Sequence, residues 1–392
     1  MKKNFRSDEL IFSKPSESDI PRICQLLTLS FGFSEARALE YVDNVGLSEI
    51  ALLYTGGTEA SGCAGLIATS HVIGGRSVKA SNIGHVALAP DARGTGSGIS
   101  FVRSLCSKAK ADGTAMVTLF ASARPVYRKA GFAFAGHEII YEAQTHALPN
   151  TKSAGFSNVA VNDPRLQAAY KRKTLASNGL LSRAPFHWKE LLREPTHGLS
   201  AYAHILPSGE IAAYAVLDTH DSNCLHVRDW HVDNQDMAIG LLSFLGRFRS
   251  VYPVVQWHGG LVDWLILALP DKGWRFVVHE EWMANVIDPA AAMRQRGYIM
   301  ASAEIGISLE TDMGEAETYT LSVRDHVGVV QPGIASGVAT VLVDRVSFAS
   351  LFTGLHRSSE LAHMGTCSGK PDALHLCDSI FSGPSPWVAE HF

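Results

Sequence analysis

Residues 86–98, VALAPDARGTGSG, hold the densest chemical signal in the chain. Arg93, Gly94, Thr95, Gly96, Ser97 and Gly98 sit between a strand-like run and a helical one. Glycine lets the backbone approach a phosphate closely and bare its N–H groups. A helix beginning at once adds unsatisfied N–H groups and a positive dipole end. The loop therefore reads as a pyrophosphate cradle, with Arg93 adding positive charge. A Rossmann loop would need G-x-G-x-x-G at the first strand and an acidic residue about 20 positions on; here the loop comes later and the arginine comes first. A P-loop would need Gly-Lys-Ser/Thr, which the stretch lacks. The remaining alternative is a plain tight turn. His85 precedes the loop and is expected to share a strand face with Ile83 and Ala87. It reads as a core or substrate-lining histidine, with a general base as the alternative.

The elements that must position this loop follow from pattern. Residues 9–20 read as a strand and a capped helix start, with Ser16 or Ser18 as N-cap. Residues 20–31 read as an apolar helix. Strands are expected over 49–54, 63–73, 81–88, 115–120 and 134–143, and helices over 98–112 and 126–130. Residues 148–157, LPNTKSAGFS, read as a linker. A second stretch repeats the first. Residues 210–217 resemble 63–73, residues 224–232 resemble the strand before the loop, and 237–248 form an apolar helical run. Where the first copy has its glycines, the second has Asp233-Asn234-Gln235-Asp236. Two carboxylates should repel a pyrophosphate, so the second copy reads as degenerate. From about residue 285 a small α+β region follows. It has short helices over 289–296, 346–353 and 371–381, with strands over 304–308, 316–323, 328–330 and 339–343.

Bulk properties bound the functional classes. A length of 392 residues suggests two or three domains. The formal net charge of −4 argues against a nucleic-acid partner, which would need a basic excess. The six cysteines form no C-x-x-C pair and read as reduced, mostly buried thiols. Neither they nor the 17 histidines show a metal-ligand spacing, so no metal is expected. The charged N-terminus, MKKNFRSDEL, lacks a following apolar stretch, and no run approaches the ~20 residues of a membrane span. The expectation is a soluble, cytoplasmic protein without a membrane partner. Phe31, Phe33 and Trp264 read as core. The acidic stretch 310–317 reads as a solvated turn and strand edge.

The strand, the Arg93–Gly98 loop and the helix together resemble motif A of the GNAT acetyltransferases. Downstream, SARPVYRKAGF at 122–132 is similar to the S-E-x-x-I-Y-x-R-F-G-Y stretch of the Eis-like (enhanced intracellular survival) enzymes. These acetylate amines, notably aminoglycosides. VIDPAAAMRQRGY at 286–298 resembles the opening of their third, sterol-carrier-protein-like domain. The resemblance covers essentially the whole chain. It implies a mixed α/β (α+β) fold of tandem GNAT domains, the second degenerate, plus the small sterol-carrier-like domain. The implied divisions are 1–150, 151–285 and 286–392, with the C-terminus reaching the active site.

The resemblance also assigns roles. Acetyl-CoA is the co-substrate and a small-molecule primary amine the acceptor. The backbone of Val86, Ala87 and Leu88 pairs with the pantetheine arm. Arg93, Gly94, Thr95, Gly96, Ser97, Gly98 and Ile99 hold the pyrophosphate, and Ser122 and Ala123 line the cofactor near the thioester. Tyr127 matches the general acid, and the Phe392 C-terminal carboxylate the general base. A lysine-like amine has a pKa of about 10, so it needs a base before it can attack. Tyrosine, also about 10, is a plausible donor to a departing thiolate. An N–H at Val86 or Leu88 could serve the oxyanion. Ala123 stands where the motif has glutamate, Arg93 is the only arginine left in motif A, and 25–33 carries no carboxylate. These departures favour a smaller or less charged amine over a polycation. A homo-oligomer, on the family's pattern a hexamer, is implied by resemblance. The competing reading is a non-catalytic acyl-CoA- or lipid-binding protein that uses the sterol-carrier-like region.

Overall fold

The computed structural model describes residues 11–151, 155–193, 198–311, 314 and 316–392. The N-terminal ten residues, part of the expected linker 148–157 and part of the acidic stretch 310–317 lie outside them.

The first unit runs β1 (Ile11–Ser13), α1 (Ile20–Phe31), α2 (Glu35–Val45), β2 (Ile50–Tyr54), β3 (Gly62–Ile73), β4 (Arg76–Leu88), α3 (Ser97–Ala111), β5 (Met116–Phe120), α4 (Arg124–Lys129) and β6 (Ala133–Gln144). The second runs β7 (Ser157–Val159), α5 (Pro164–Leu175), α6 (Pro185–Leu191), β8 (Leu199–Ile205), β9 (Ile211–Asp218), β10 (Cys224–Val232), α7 (Gln235–Leu245), β11 (Val254–Gly259), α8 (Trp264–Leu267) and β12 (Trp274–Asn285). The third holds α9 (Pro289–Gln295), β13 (Ser302–Glu310), β14 (Ala316–Arg324), β15 (Val327–Pro332), β16 (Thr340–Asp344), α10 (Phe348–Thr353), α11 (Ser358–His363), β17 (Cys367–Gly369), α12 (Pro371–Phe381) and β18 (Trp387–Val388). No helix among the described residues is long and apolar enough to cross a membrane.

Local rules account for the helices around the site. Pro21 sits in the first turn of α1, which ends where Gly32 adopts φ +68°. Asp19, rather than Ser16 or Ser18, is its N-cap; Ser16 caps the short turn before it. In α2 the Ser34 side chain accepts from the Arg37 N–H. That helix buries Ala38, Tyr41, Val42 and Val45, the i, i+3, i+4, i+7 stripe of an amphipathic helix.

The two GNAT-like units share one sheet by exchanging their last strands. Its order is β1-β2-β3-β4-β5-β12-β6-β11-β10-β9-β8-β7. β6 and β12 run antiparallel side by side, with Ala143 opposite Trp274 and Ala133 opposite Ala284. On their other edges, β12 pairs with β5 of the first unit and β6 with β11 of the second, both antiparallel. Each unit's closing strand is therefore completed by the other unit. The third unit forms a separate sheet, β15-β14-β13-β16-β17. Its tail returns to the large sheet, where β18 pairs parallel with β6, Trp387 opposite His137 and Val388 opposite Glu138.

All six cysteines are buried and unpaired. Trp264 is not core: it is 42% exposed on the second unit.

Candidate active site

The site begins as a fork in the sheet. β4 and β5 pair in parallel only from Ala80/Met116 to Asn82/Thr118. β4 continues to Leu88 and β5 to Phe120 without pairing each other. The unpaired edges open a wedge whose mouth faces the loop at residues 93–98. A fork of this kind leaves strand N–H and C=O groups free for an extended ligand arm.

A bulge shapes the wall of the fork. Cys63 lies opposite Ala87 and Gly65 opposite Gly84, so two residues of β4 face one of β3. His85 takes the extra position with φ +53°, a left-handed conformation that is uncommon outside glycine. The slip reverses the alternation of side chains. Ile83 packs into the core under α3, whereas Ala87 packs with α1 and α2. His85 therefore does not share a face with both. Its ring lies between Phe31, Phe33 and Tyr41, with centroids 5.0, 5.1 and 4.6 Å away. Burial, with the Arg37 charge adding to it, pulls its pKa down to about 4, and its Nδ1 has no hydrogen-bond partner.

At the mouth, Gly94 and Gly96 have φ +77° and +90°, and a Cβ on either would point into open space. Both facts fit a loop whose backbone must present N–H groups outward. Gly96 is the N-cap of α3, so the first-turn N–H groups of that helix point the same way. Ser97, Gly98 and Ile99 form that first turn. Thr95 ties the loop down by donating from Oγ1 to the Ala92 carbonyl at 2.8 Å. Arg93 folds back: Nε donates to the Leu88 carbonyl at 3.0 Å and Nη2 to Ser30 Oγ at 3.2 Å. Its charge stays at the mouth while it braces β4 against α1. Val86 and Leu88 are half-buried along the fork, and Ala87 is buried, so Ala87 can offer only backbone there. The arrangement fits a nucleotide with a pyrophosphate and an extended arm.

At the inner end of the fork lies a cavity of about 370 Å³. Ser122, Tyr127, His85, Val86 and Phe392 all border it. Tyr127 comes from α4, opened by Pro125, and is 7% exposed. Burial raises its pKa, against a hydrogen bond with Ser122, so the hydroxyl keeps its proton at neutral pH. Ala123 caps α4 just beyond and does not border the cavity.

Phe392, the last residue of the sequence, is buried. Its ring lies 5.1 Å from Phe120 and 5.9 Å from His71. Its carboxyl carbon comes within 4.0 Å of where a Cβ on Gly84 would sit. Four contacts hold this tail. His391 Nδ1 lies 2.8 Å from Glu138 Oε2, and its ring stacks on Phe120 at 4.1 Å. Glu390 accepts from Arg183 Nε at 2.5 Å. β18 pins the segment to β6. Burial would raise the Glu138 pKa, but hydrogen bonds from His258 and His391 hold it at about 2. The hydrogen bond to Glu138 raises His391 above an ordinary histidine.

The structure adds residues that sequence reasoning missed. Glu280 and Glu281 of β12 and Arg124 of α4 also border the cavity, with Glu281 held by Arg124 at 2.5 Å. Phe31, expected in the core, is 42% exposed on the cavity wall. The signal for Glu280 and Glu281 was the strand-like run WRFVVHEEWMAN; its exchange into the first unit had no local signal. Glu138, Glu280 and His391 bring ligating atoms within 4.8 Å of one another, and the His391–Glu138 hydrogen bond already accounts for their closeness.

Comparison with known proteins gives three domain families along the chain. An acetyltransferase (GNAT) domain family matches residues 12–135 and another matches 179–294. A sterol carrier protein domain family matches 289–389. Among solved structures, the chain is similar to a GCN5-related N-acetyltransferase from Anabaena variabilis ATCC 29413. The TM-score is 0.90 at 24% identity, over 98% of this chain and 100% of that one. A GCN5-related N-acetyltransferase from Kribbella flavida gives 0.85 at 22%, over 98% and 99%. Eis1 from Mycobacterium abscessus gives 0.78 at 18%, over 98% and 100%. At these identities the likeness speaks for the fold. A comparison with curated protein sequences finds no match.

Proposed function

Because the chain is a GNAT acetyltransferase built from two GNAT domains and a sterol carrier protein domain, we propose that its first domain transfers acetyl from acetyl-CoA to a primary amine of a small molecule. The pyrophosphate sits on the N–H groups of residues 94–99, with Arg93 at the mouth. The pantetheine arm lies along Val86, Ala87 and Leu88 in the fork. The thioester then reaches the inner cavity beside Ser122, with Ala123 just beyond its edge.

The Phe392 carboxylate takes a proton from the incoming ammonium, and the free amine attacks the thioester carbon. The resulting oxyanion accepts from a β4 backbone N–H at the bulge, Val86 or Leu88. The C–S bond breaks, Tyr127 protonates the departing thiolate, and the surplus proton on the new amide nitrogen passes to the tyrosinate, while the Phe392 carboxyl returns its proton to solvent. A tyrosine whose pKa is raised by burial is protonated when this step needs it. The observation that supports the reading most is that Tyr127, Ser122 and Phe392 border one cavity although 265 positions separate Tyr127 from the chain's last residue (392 − 127). In this reading the divisions at 1–150, 151–285 and 286–392 each contribute: the first binds acetyl-CoA, the second lends β12, and the third delivers the tail.

Glu281 is tied to Arg124, which leaves Glu280 as a cavity carboxylate with no ion pair among the described residues. Beside the Phe392 carboxylate, that single further charge suits a small amine better than a polycation. The protein works in the cytoplasm as a homo-oligomer, by resemblance a hexamer, which light scattering would test. The reading itself is tested by following CoA thiol release over a panel from aminoglycosides to amino acids. Release with at least one amine, abolished by Tyr127→Phe, supports it. Acetyl-CoA binding without release for any amine would refute it.

A further inference from the structure

The second GNAT domain has kept a fork of its own. β10 and β11 pair in parallel from Cys224/Val254 to Val227/Trp257 and then part. The indole of Trp230 crosses the gap and donates to the His258 carbonyl at 2.8 Å. Beyond it lies a cavity of about 300 Å³, comparable to that of the first domain. Its nucleotide end carries a carboxylate in place of glycines. Asp233 holds the position of the glycine loop, fixed by Arg172 at 3.1 Å and His231 at 2.7 Å, and the Asn234 side chain caps α7. A pyrophosphate would meet a carboxylate there.

The cavity is nevertheless chemically distinctive. Trp230, Trp264 and Trp387 form its walls, and Lys173 enters from α5. Lys173 is 6% exposed. Its Nζ donates to the Trp230 carbonyl at 2.8 Å and lies 4.0 and 5.1 Å from the ring centroids of Trp230 and Trp387. An ammonium has three N–H donors, and among the described residues this one has a single hydrogen-bond acceptor, so only the two indole faces and the cavity meet its remaining donors. Burial lowers the Lys173 pKa to about 8, the cost of a cation short of partners. Asp263, also on the wall, is satisfied on one oxygen only, and burial raises its pKa to about 6. Its Oδ1 accepts from Leu265 N, Ile266 N and Trp257 Nε1, and its Oδ2 is sealed, only 2.1 Å from where a Cβ on Gly259 would lie.

We propose that this cleft is a second binding site, one that takes a small organic monocarboxylate with a flat apolar body. The carboxylate accepts from Lys173 Nζ in a charge-assisted hydrogen bond, and the flat body lies against the indoles. The site is independent of the acetyl-transfer chemistry. The segment 384–387 that borders it runs on to His391 and Phe392, so occupancy would stiffen the tail; only that consequence rests on the reading of Phe392 as base.

The test is a titration of the full-length protein with benzoate, followed by tryptophan fluorescence, with benzamide and benzylamine alongside. Benzoate should quench saturably, and more tightly than the neutral amide, with the amine weakest. Lys173→Met should weaken benzoate by about tenfold or more, the share of one charge-assisted hydrogen bond. Trp264→Ala, at a partly exposed wall position that should not disturb folding, should also weaken it and so locate the signal even where Lys173→Met unfolds. Absence of saturable quenching by benzoate would overturn the proposal. So would tighter binding of benzylamine, or benzoate binding that survives both substitutions unchanged.

Discussion

Replacing Arg183 by methionine should both destabilise the protein and loosen its tail. The Arg183 side chain is fully buried and holds two carboxylates from distant parts of the chain. Nη1 and Nη2 reach Asp229 at 2.7 and 3.2 Å, and Nε reaches Glu390 at 2.5 Å. The guanidinium also stacks on Tyr170 at 3.7 Å and Trp188 at 4.7 Å. Burial alone would push the Asp229 carboxyl up, but the charges of Arg183 and Lys173, with hydrogen bonds from Arg183 and Tyr214, hold it below the usual range. Methionine keeps the apolar stem and removes the charge. Breaking a buried pair costs about 3–5 kcal/mol. The Tyr214 hydroxyl, 2.7 Å from Asp229, and nearby Lys173 still serve Asp229, which puts the expected loss near the lower end, about 3 kcal/mol. Urea unfolding of Arg183→Met, Glu390→Gln and the double variant measures it. In the double variant the losses should fall short of additive by about 0.5–3 kcal/mol. CoA release should show kcat reduced while the KM for acetyl-CoA, which the proposed function assigns to residues 94–99, stays put. Strict additivity in unfolding would refute the clamp. A raised acetyl-CoA KM with unchanged kcat would refute its link to the tail.

Tyr127→Phe should lower kcat by about 10²–10⁴-fold, the usual span for one general acid, with acetyl-CoA binding by calorimetry unchanged. Gly96→Ala forces an L-residue to φ +90° at the helix start; it should cost about 1–2 kcal/mol of stability and raise the KM for acetyl-CoA, checked by thermal melts and initial rates. The His391–Glu138 pair makes the tail pH-dependent. His391 has its folded pKa raised, so its contribution is full below its ordinary value of about 6.5 and is lost as pH rises through the raised one. Glu138 is depressed to about 2, so its contribution is full above the ordinary glutamate value of about 4.3 and is lost as pH falls toward 2. Carboxypeptidase release of Phe392 should therefore be slowest between those limits and quicken on the alkaline side, with Glu138→Gln abolishing the dependence.

What could be read in advance was what depends on neighbours in sequence. The helix Ile20–Phe31, the strand Cys224–Val232 and the helix Pro371–Phe381 follow from period and turn chemistry, and their bounds match those expected. The glycine loop was legible because Gly94 and Gly96 perform a backbone task. The second unit's likeness to the first was legible in the order of its elements. The strand exchange was not, because whether residues 274–285 pair with their own unit or the other is decided by contacts across the whole sheet. For that reason Glu280 and Glu281 could not be placed. His85 was misplaced because one bulged residue reverses every side chain beyond it. Phe31 and Trp264 look like core residues by type alone, and only the fold shows each on a cavity wall.

The account turns on the end of the chain. The direct measurement follows CoA release with the best amine for the protein as it stands and for one carrying a few extra residues after Phe392. The extension moves the free carboxylate away while leaving Tyr127, the fork and the loop untouched; acetyl-CoA binding checks that they are intact. The account predicts that binding persists and turnover collapses. Turnover that survives the extension would contradict it and turn attention to His85 as the base.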